Sequence, residues 1–183
     1  MKNLVEVTAE NFDVILDLRY ASKNNVCNQK LYAKPICLLH QDTAQMLKKA
    51  VSAAKILGYK IKIFDGFRSL EVQQFMYNKF SGEFVSNPDG GVIPHCRGVA
   101  IDLTLCDLNG NEIEMGTNFD EFSQLAYHNC QKISVEAQRN RLILLGLMSA
   151  VGFDFYSKEW WHFQLFKPRE YPILATPAGF NAI

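Results

Sequence analysis

Two short segments, far apart in the chain, carry residue types that can do hydrolytic chemistry together. In Pro94–Leu105, His95 and Asp102 stand seven residues apart with Gly98 between them, and Glu159-Trp160-Trp161-His162 adds a second histidine and another carboxylate. Two imidazoles and one carboxylate suit zinc and leave a fourth position for water; a carboxylate outside that set can take the water's proton. The set implied is one Zn2+ per chain on His95, Asp102 and His162, with Glu159 as base.

Spacing alone leaves a plainer account standing. His95 and Asp102 lie an odd number of residues apart, so in one continuous strand they would face opposite sides of a sheet. Arg97-Gly98 can break that period and lift His95 onto a loop above the strand. Val99, Ile101, Leu103 and Leu105 fit the core face, leaving Asp102 and Thr104 on the other. A solvent-facing acid and a loop histidine explain this pair as well as a metal does. His162 alternates with Trp161, Phe163 and Leu165, and on its own reads as a half-buried histidine in an aromatic belt. Glu159 precedes it by three residues, so a bend or bulge at Glu159-Trp160 is needed for both to serve one site. One tryptophan can then fill the core while the other walls the site. Arg68, in Asp65-Gly66-Phe67-Arg68, could donate to a developing oxyanion; an ion pair with Asp65 is the competing role.

The elements that must position these residues read as a mixture. Asn11–Tyr20 suggests a short strand or entry segment, and the Asn-rich stretch Ala21–Lys34 a loop able to cross a site. Leu38–Leu57 has a helical apolar stripe, Asp42 or Thr43 as cap and Gly58 as stop. Tyr59–Phe64 alternates as a strand, and a helix capped by Ser69 follows. Ser81–Pro94 is a long Gly- and Pro-punctuated loop, a length usually tied to function. Val99–Leu105 is a strand, and Asp107–Asn111 a turn that should lead into a hairpin partner. Val135–Ala150 is a second strong helix, Phe153–Phe166 holds the last strand, and the proline-bearing tail is extended. The expectation is one α+β domain over residues 1–183, a central antiparallel sheet flanked by helices.

Composition narrows the partners. The chain has 183 residues, 48% hydrophobic and 21% charged, with zero net charge. That is enough to bury a substantial core, and it gives no electrostatic footprint for nucleic acid or a membrane surface. Met1–Val7 has no apolar run of the signal-peptide kind, and no stretch suits a membrane span, so a cytoplasmic location is expected. Five cysteines without C-x-x-C spacing read as free thiols.

Four blocks together carry a resemblance: Asp65-Gly-Phe-Arg68, His95-x-x-Gly98-x-Ala100-x-Asp102-Leu-Thr-Leu, Met115-Gly-Thr-x-Phe-Asp120 and Glu159-Trp-Trp-His162. In this order they resemble the D-alanyl-D-alanine dipeptidases, zinc enzymes of the vancomycin-resistance type. That superfamily also includes D-Ala-D-Ala carboxypeptidases and the hedgehog fold. The resemblance implies a hedgehog/DD-peptidase-like fold and hydrolysis of D-Ala-D-Ala or a similar D,D-dipeptide. It implies zinc ligands His95, Asp102 and His162, base Glu159 and carbonyl-polarising Arg68. It places Asp120 against the substrate's ammonium and Tyr20 and Tyr32 near the dipeptide's ends. Two positions depart from the family pattern: Ile93 replaces the usual serine, and Ser69 the usual proline. Alternatives are a D,D-carboxypeptidase acting on longer peptidoglycan stem peptides and a non-catalytic zinc module of the same fold.

Overall fold

The computed structural model describes residues 3–80, 82 and 84–183; Ser81 and Glu83 of the expected loop, and Met1 and Lys2 of the start, lie outside the described residues. The order of regular elements is β1 (Leu4–Val7), α1 (Ala9–Phe12), β2 (Ile15–Leu16), β3 (Cys37–His40), α2 (Gln41–Ile56), β4 (Lys60–Asp65), α3 (Leu70–Phe80), β5 (Ala100–Cys106), α4 (Val135–Ala150), β6 (Asp154–Phe155) and β7 (His162–Gln164). The main sheet runs β2-β4-β5-β7-β6, and β1 with β3 forms a separate two-stranded ribbon. This is the expected α+β domain with one refinement. The sheet is mixed, because β2 pairs parallel to β4 while the other pairs are antiparallel.

Strand β5 sits at the centre, and all seven of its residues are buried. Ile101, Leu103 and Leu105 point into the main core as their period-two spacing requires. The other face is covered as well, so Asp102 and Thr104 are 2% and 1% exposed. Burial of a carboxylate there needs compensating partners, and the cross-strand neighbours supply them.

Register decides which neighbours. Asp102 is opposite His162 on β7 and opposite Asp65 on β4. The β4–β5 register slips between Ile63 and Asp65; without that bulge Phe64, not Asp65, would face Asp102. Directly paired residues share a face, so three polar side chains line up in a row across three strands.

Helix ends follow the local chemistry. Ser69 Oγ accepts from the Val72 N–H at 3.2 Å, so Ser69 caps α3 as expected. Ser134 does the same for α4 through the Ala137 N–H at 3.0 Å. The long helix is shorter at its start than the apolar stripe suggests. Cys37–His40 is a strand, and His40 Nδ1, not Asp42 or Thr43, accepts the cap bond from the Asp42 N–H at 3.3 Å. The missing information was tertiary: β3 pairs with β1, which lies more than thirty residues earlier. Asn11–Tyr20 resolves into the end of α1, the two-residue β2 and a 3-10 turn at Arg19–Ala21.

After β5, the Asp107 carboxylate accepts from the Asn109 and Asn111 N–H groups at 2.8 and 2.9 Å, closing the expected turn. The expected hairpin partner is reduced to a single bridge, Cys106 with Glu112. The three-residue β7 pairs only with Ala100–Asp102, and the returning chain meets the far end of β5 through that bridge and the bond from the Ile113 N–H to the Leu105 carbonyl. The tail is extended apart from one 3-10 turn at Pro168–Glu170, and Phe180 packs on Tyr32 and Phe67. All five cysteines are free, and four are buried. Among the described residues no helix is long and apolar enough to cross a membrane.

Candidate metal centre and active site

His95 reaches the sheet face from a 3-10 turn, Pro94–Arg97, with proline at its start and Gly98 closing it at φ 67°. Gly98 has a physical reason. A Cβ there would stand 2.9 Å from the His40 nitrogen, whose N–H donates to the Gly98 carbonyl at 2.8 Å. The expected break of period at Arg97-Gly98 is therefore real. The second expected bend is real too: the Glu159 N–H donates to the Tyr156 carbonyl and the His162 N–H to the Glu159 carbonyl, turning the chain just before β7.

Three donor atoms converge. His95 Nε2 lies 3.2 Å from His162 Nδ1, His162 Nδ1 lies 3.1 Å from Asp102 Oδ1, and His95 Nε2 lies 3.4 Å from Asp102 Oδ1. Tetrahedral coordination with bonds of about 2.0–2.1 Å separates donors by about 3.4 Å, so this near-equilateral triangle fits one face of such a site. Each histidine is also oriented for it. His95 Nδ1–H donates to the Gly66 carbonyl at 2.7 Å, leaving Nε2 free to ligate. His162 Nε2–H donates to Gln164 Oε1 at 3.1 Å, leaving Nδ1 free. His95, Asp102 and His162 are the buried His/Cys/Asp/Glu group able to hold a metal ion among the described residues.

Glu159 Oε2 lies 3.8 Å from His162 Nδ1, beside the triangle but outside it. Arg68 makes the ion pair suggested for it and also lines the cavity. It pairs with Asp65 through Nε and Nη2 at 3.2 and 2.8 Å, and Nη2 approaches Asp102 at 3.8 Å while the side chain lines the cavity. Asp120 accepts from the Tyr20 hydroxyl at 3.0 Å and from the Val26 N–H at 3.3 Å, so the loop Ala21–Lys34 does reach the site. The structure places Tyr32 elsewhere. Its hydroxyl donates to Asp65 at 2.7 Å, and the ring stands behind that acid, away from the cavity wall. Tyr32 supports Arg68 through Asp65; contact with a ligand in the cavity would need a side chain on its wall.

The cavity, of about 190 Å³, is lined by the triangle, Glu159, Arg68, Asp120 and Tyr20, with Ile93, Phe84, Phe122 and Trp161 among its apolar walls. Trp161 walls the site and Trp160 packs edge-on against it at 5.4 Å, the division of labour expected of the pair. Ile93 occupies a left-handed conformation at φ 39°, a strained state for a β-branched residue.

Carboxyls outnumber the one guanidinium around the cavity: Asp102, Asp120 and Glu159 line it with Arg68, and Asp65 pairs with Arg68 from behind. Burial, reinforced by Asp102, pushes Asp120 up to about 7, and burial pushes Glu159 up to about 8. Burial also works against ionisation of Asp102, but the facing His95 and His162 outweigh it and hold that carboxyl well below its usual range. Burial lowers His162, yet its bond to Asp102 more than compensates and raises it. Such an excess of carboxylate is what a divalent cation neutralises.

Sequence reasoning did not single out Gln164 or Gln73. Gln164 shares its strand face with His162, which was the available signal. Gln73 Oε1 accepts from Arg68 Nη1 at 3.3 Å, a contact made across the first turn of α3.

Fold and site together define a metallopeptidase. The chain belongs to the peptidase M15 family of D-ala-D-ala dipeptidases, whose model matches residues 1–173. The D-alanyl-D-alanine dipeptidase of Escherichia coli K12 is 36% identical over 173 residues, covering 94% of this chain and 89% of that protein. The D-alanyl-D-alanine dipeptidases of Enterococcus faecium and Enterococcus faecalis are 30% and 28% identical, covering 85% and 81% of this chain. The α+β architecture is consistent with the hedgehog/DD-peptidase-like fold.

Two outcomes follow from the geometry. Gln164→Leu removes the acceptor that fixes the His162 tautomer, so affinity for a divalent metal, measured by competition with a chromophoric chelator, should fall about ten- to hundredfold. In metal-stripped protein, Asp120 and Glu159 hold protons that the unfolded chain has released above its ordinary carboxylate range. Their raised values give stability that is complete at low pH and lost as pH rises through about 7 and 8. Thermal unfolding of the stripped protein should therefore shift down between about pH 5 and about pH 8, and Asp120→Asn should flatten that slope.

Proposed function

We propose that the chain is a zinc-dependent dipeptidase that hydrolyses D-Ala-D-Ala or a similar D,D-dipeptide to free D-amino acids. The observation that carries this reading is the donor triangle of His95, Asp102 and His162 with the unligated Glu159 carboxylate 3.8 Å from one of its corners. The names of the relatives support the substrate class.

His95, Asp102 and His162 would hold the zinc ion, which when bound would supply the Lewis acidity that peptide hydrolysis needs at neutral pH. Glu159 takes the proton of the attacking water on its carboxylate and returns it to the leaving amine. Its burial favours the protonated form, which suits a group that must both accept and give back a proton. Arg68, held by Asp65 and Gln73, donates through its guanidinium to the oxygen that gains charge as the carbonyl is attacked. Asp120, with Tyr20 beside it, receives the free ammonium of the substrate. Its carboxylate is ready-made for a cation, and a blocked amine cannot satisfy it. A small cavity with a buried acid on its wall favours a dipeptide with a free amine over a long stem peptide.

Zinc-loaded wild type should turn over D-Ala-D-Ala, and Glu159→Ala should lower kcat by about 10²- to 10⁴-fold with zinc still bound at one per chain. An N-acetylated dipeptide should be cleaved more slowly than the free one. Faster cleavage of the blocked substrate would favour the carboxypeptidase alternative and remove the role given to Asp120. Stoichiometric zinc without turnover of any D,D-dipeptide would leave the non-catalytic module.

A further inference from the structure

Arg141 lies on α4, outside the cavity, and is 2% exposed. Its Nε donates to the Met115 carbonyl at 2.6 Å, and its Nη1 donates to the Leu125 and Tyr127 carbonyls at 2.9 Å each. One guanidinium thus grips both ends of the segment from Met115 to Tyr127. Asp120, in the middle of that segment, turns into the cavity at φ 62°, a left-handed conformation that its surroundings must impose.

Neighbouring contacts tie down the same segment. Asn140 Nδ2, also on α4, donates to the Glu114 carbonyl at 2.8 Å. Gly116 packs so closely that a Cβ would stand 2.8 Å from Ile133, just before α4. Trp160, next to Glu159, donates from its indole to Thr117 Oγ1 at 2.7 Å and from its main chain to the Ala126 carbonyl at 3.1 Å. The Arg141 guanidinium lies 5.8 Å from the Trp160 ring centre. Burying a cation against neutral carbonyls is costly, and an apolar side chain would fill a helix-core position at less cost. What the guanidinium adds is geometry: a planar fork reaches three carbonyls at once, of which that of Tyr127 also accepts from the Cys130 N–H at 3.1 Å.

We propose that Arg141 is a positioning residue: by tying both ends of Met115–Tyr127 to α4, it holds the Asp120 carboxylate at the place where the substrate's amino end is received. It thereby sets selectivity for dipeptides with a free amine. This rests on the dipeptidase reading and on the role given there to Asp120.

The test compares zinc-loaded wild type, Arg141→Met, Arg141→Lys, Asp120→Asn and the Arg141→Met/Asp120→Asn double variant, using D-Ala-D-Ala and its N-acetyl derivative. In Arg141→Met, KM for the free dipeptide should rise about tenfold or more, the worth of one charge-assisted hydrogen bond, with kcat changed less than about threefold. Discrimination against the acetylated substrate should shrink. The double variant should show a KM no higher than Asp120→Asn alone, because both changes remove the same contact. Arg141→Lys, which keeps charge without the fork, should fall between. Hydrogen exchange should quicken in the amides between Gly116 and Ala126 while β5 stays protected. Unchanged KM, or a KM effect that adds in full to that of Asp120→Asn, overturns the proposal. So does a loss of zinc and kcat together, the mark of a general structural role. If Arg141→Met does not fold, Arg141→Lys is judged by the same criteria. Absence of turnover by wild type overturns the dipeptidase reading and with it the selectivity, whereas normal wild-type turnover with unaltered KM in the variants overturns Arg141 alone.

Discussion

The cross-strand pairing of Asp102 with His162 is the constraint on which the site depends. Both sit on the buried polar face of the sheet, and the ladder between β5 and β7 fixes their separation before any ligand arrives. A slip of one residue would turn both side chains into the core and put Ile101 or Phe163 in their place. The apolar alternation on the opposite face of β5 resists that slip, because it would expose Leu103 and Leu105 to a polar surface. The His/Asp/His cluster is thus specified by the hydrophobic pattern as much as by its own polar residues.

Around this pair the chain adds groups at exact cost in local regularity: a bulge in β4, a turn before β7 and a glycine-closed 3-10 turn before β5. Each departure changes where one side chain points. The β4 bulge brings Asp65 to Asp102, and Asp65 in turn holds Arg68 and is held by Tyr32. The turn at Tyr156–His162 presents Glu159 beside the ligands, outside their triangle. The turn at Pro94–Arg97 lets His95 descend on the sheet from above. Irregular backbone is concentrated where chemistry needs aim, and the regular elements supply the rigidity behind it.

Much of this was legible in the residues. The alternation of β5, the stripe of α4 and the Ser69 cap are local signals and matched the structure almost to the residue. The convergence of His95, Asp102 and His162 needed two segments read together, since neither His95 with Asp102 nor Glu159 with His162 is persuasive alone. Other features depended on distant chain. The β1–β3 ribbon hid inside an apparently helical run because Leu38 and Leu39 satisfy either period. The hairpin after β5 is cut to one bridge, Cys106 with Glu112, a length that the local turn chemistry does not set. Tyr32 has the residue type for substrate contact, but its burial behind Asp65 is a tertiary fact. Arg141 gave no signal at all, since a lone arginine in an amphipathic helix reads as a surface residue.

The central claim is that His95 Nε2, Asp102 Oδ1 and His162 Nδ1 hold one zinc ion and leave a position open. Anomalous diffraction at the zinc edge from crystals of the zinc-loaded protein tests it most directly. The account predicts a single strong site with these three atoms at about 2.0–2.2 Å and Glu159 beyond bonding distance. A site elsewhere, or Glu159 closing the coordination sphere as a fourth protein ligand, would contradict it.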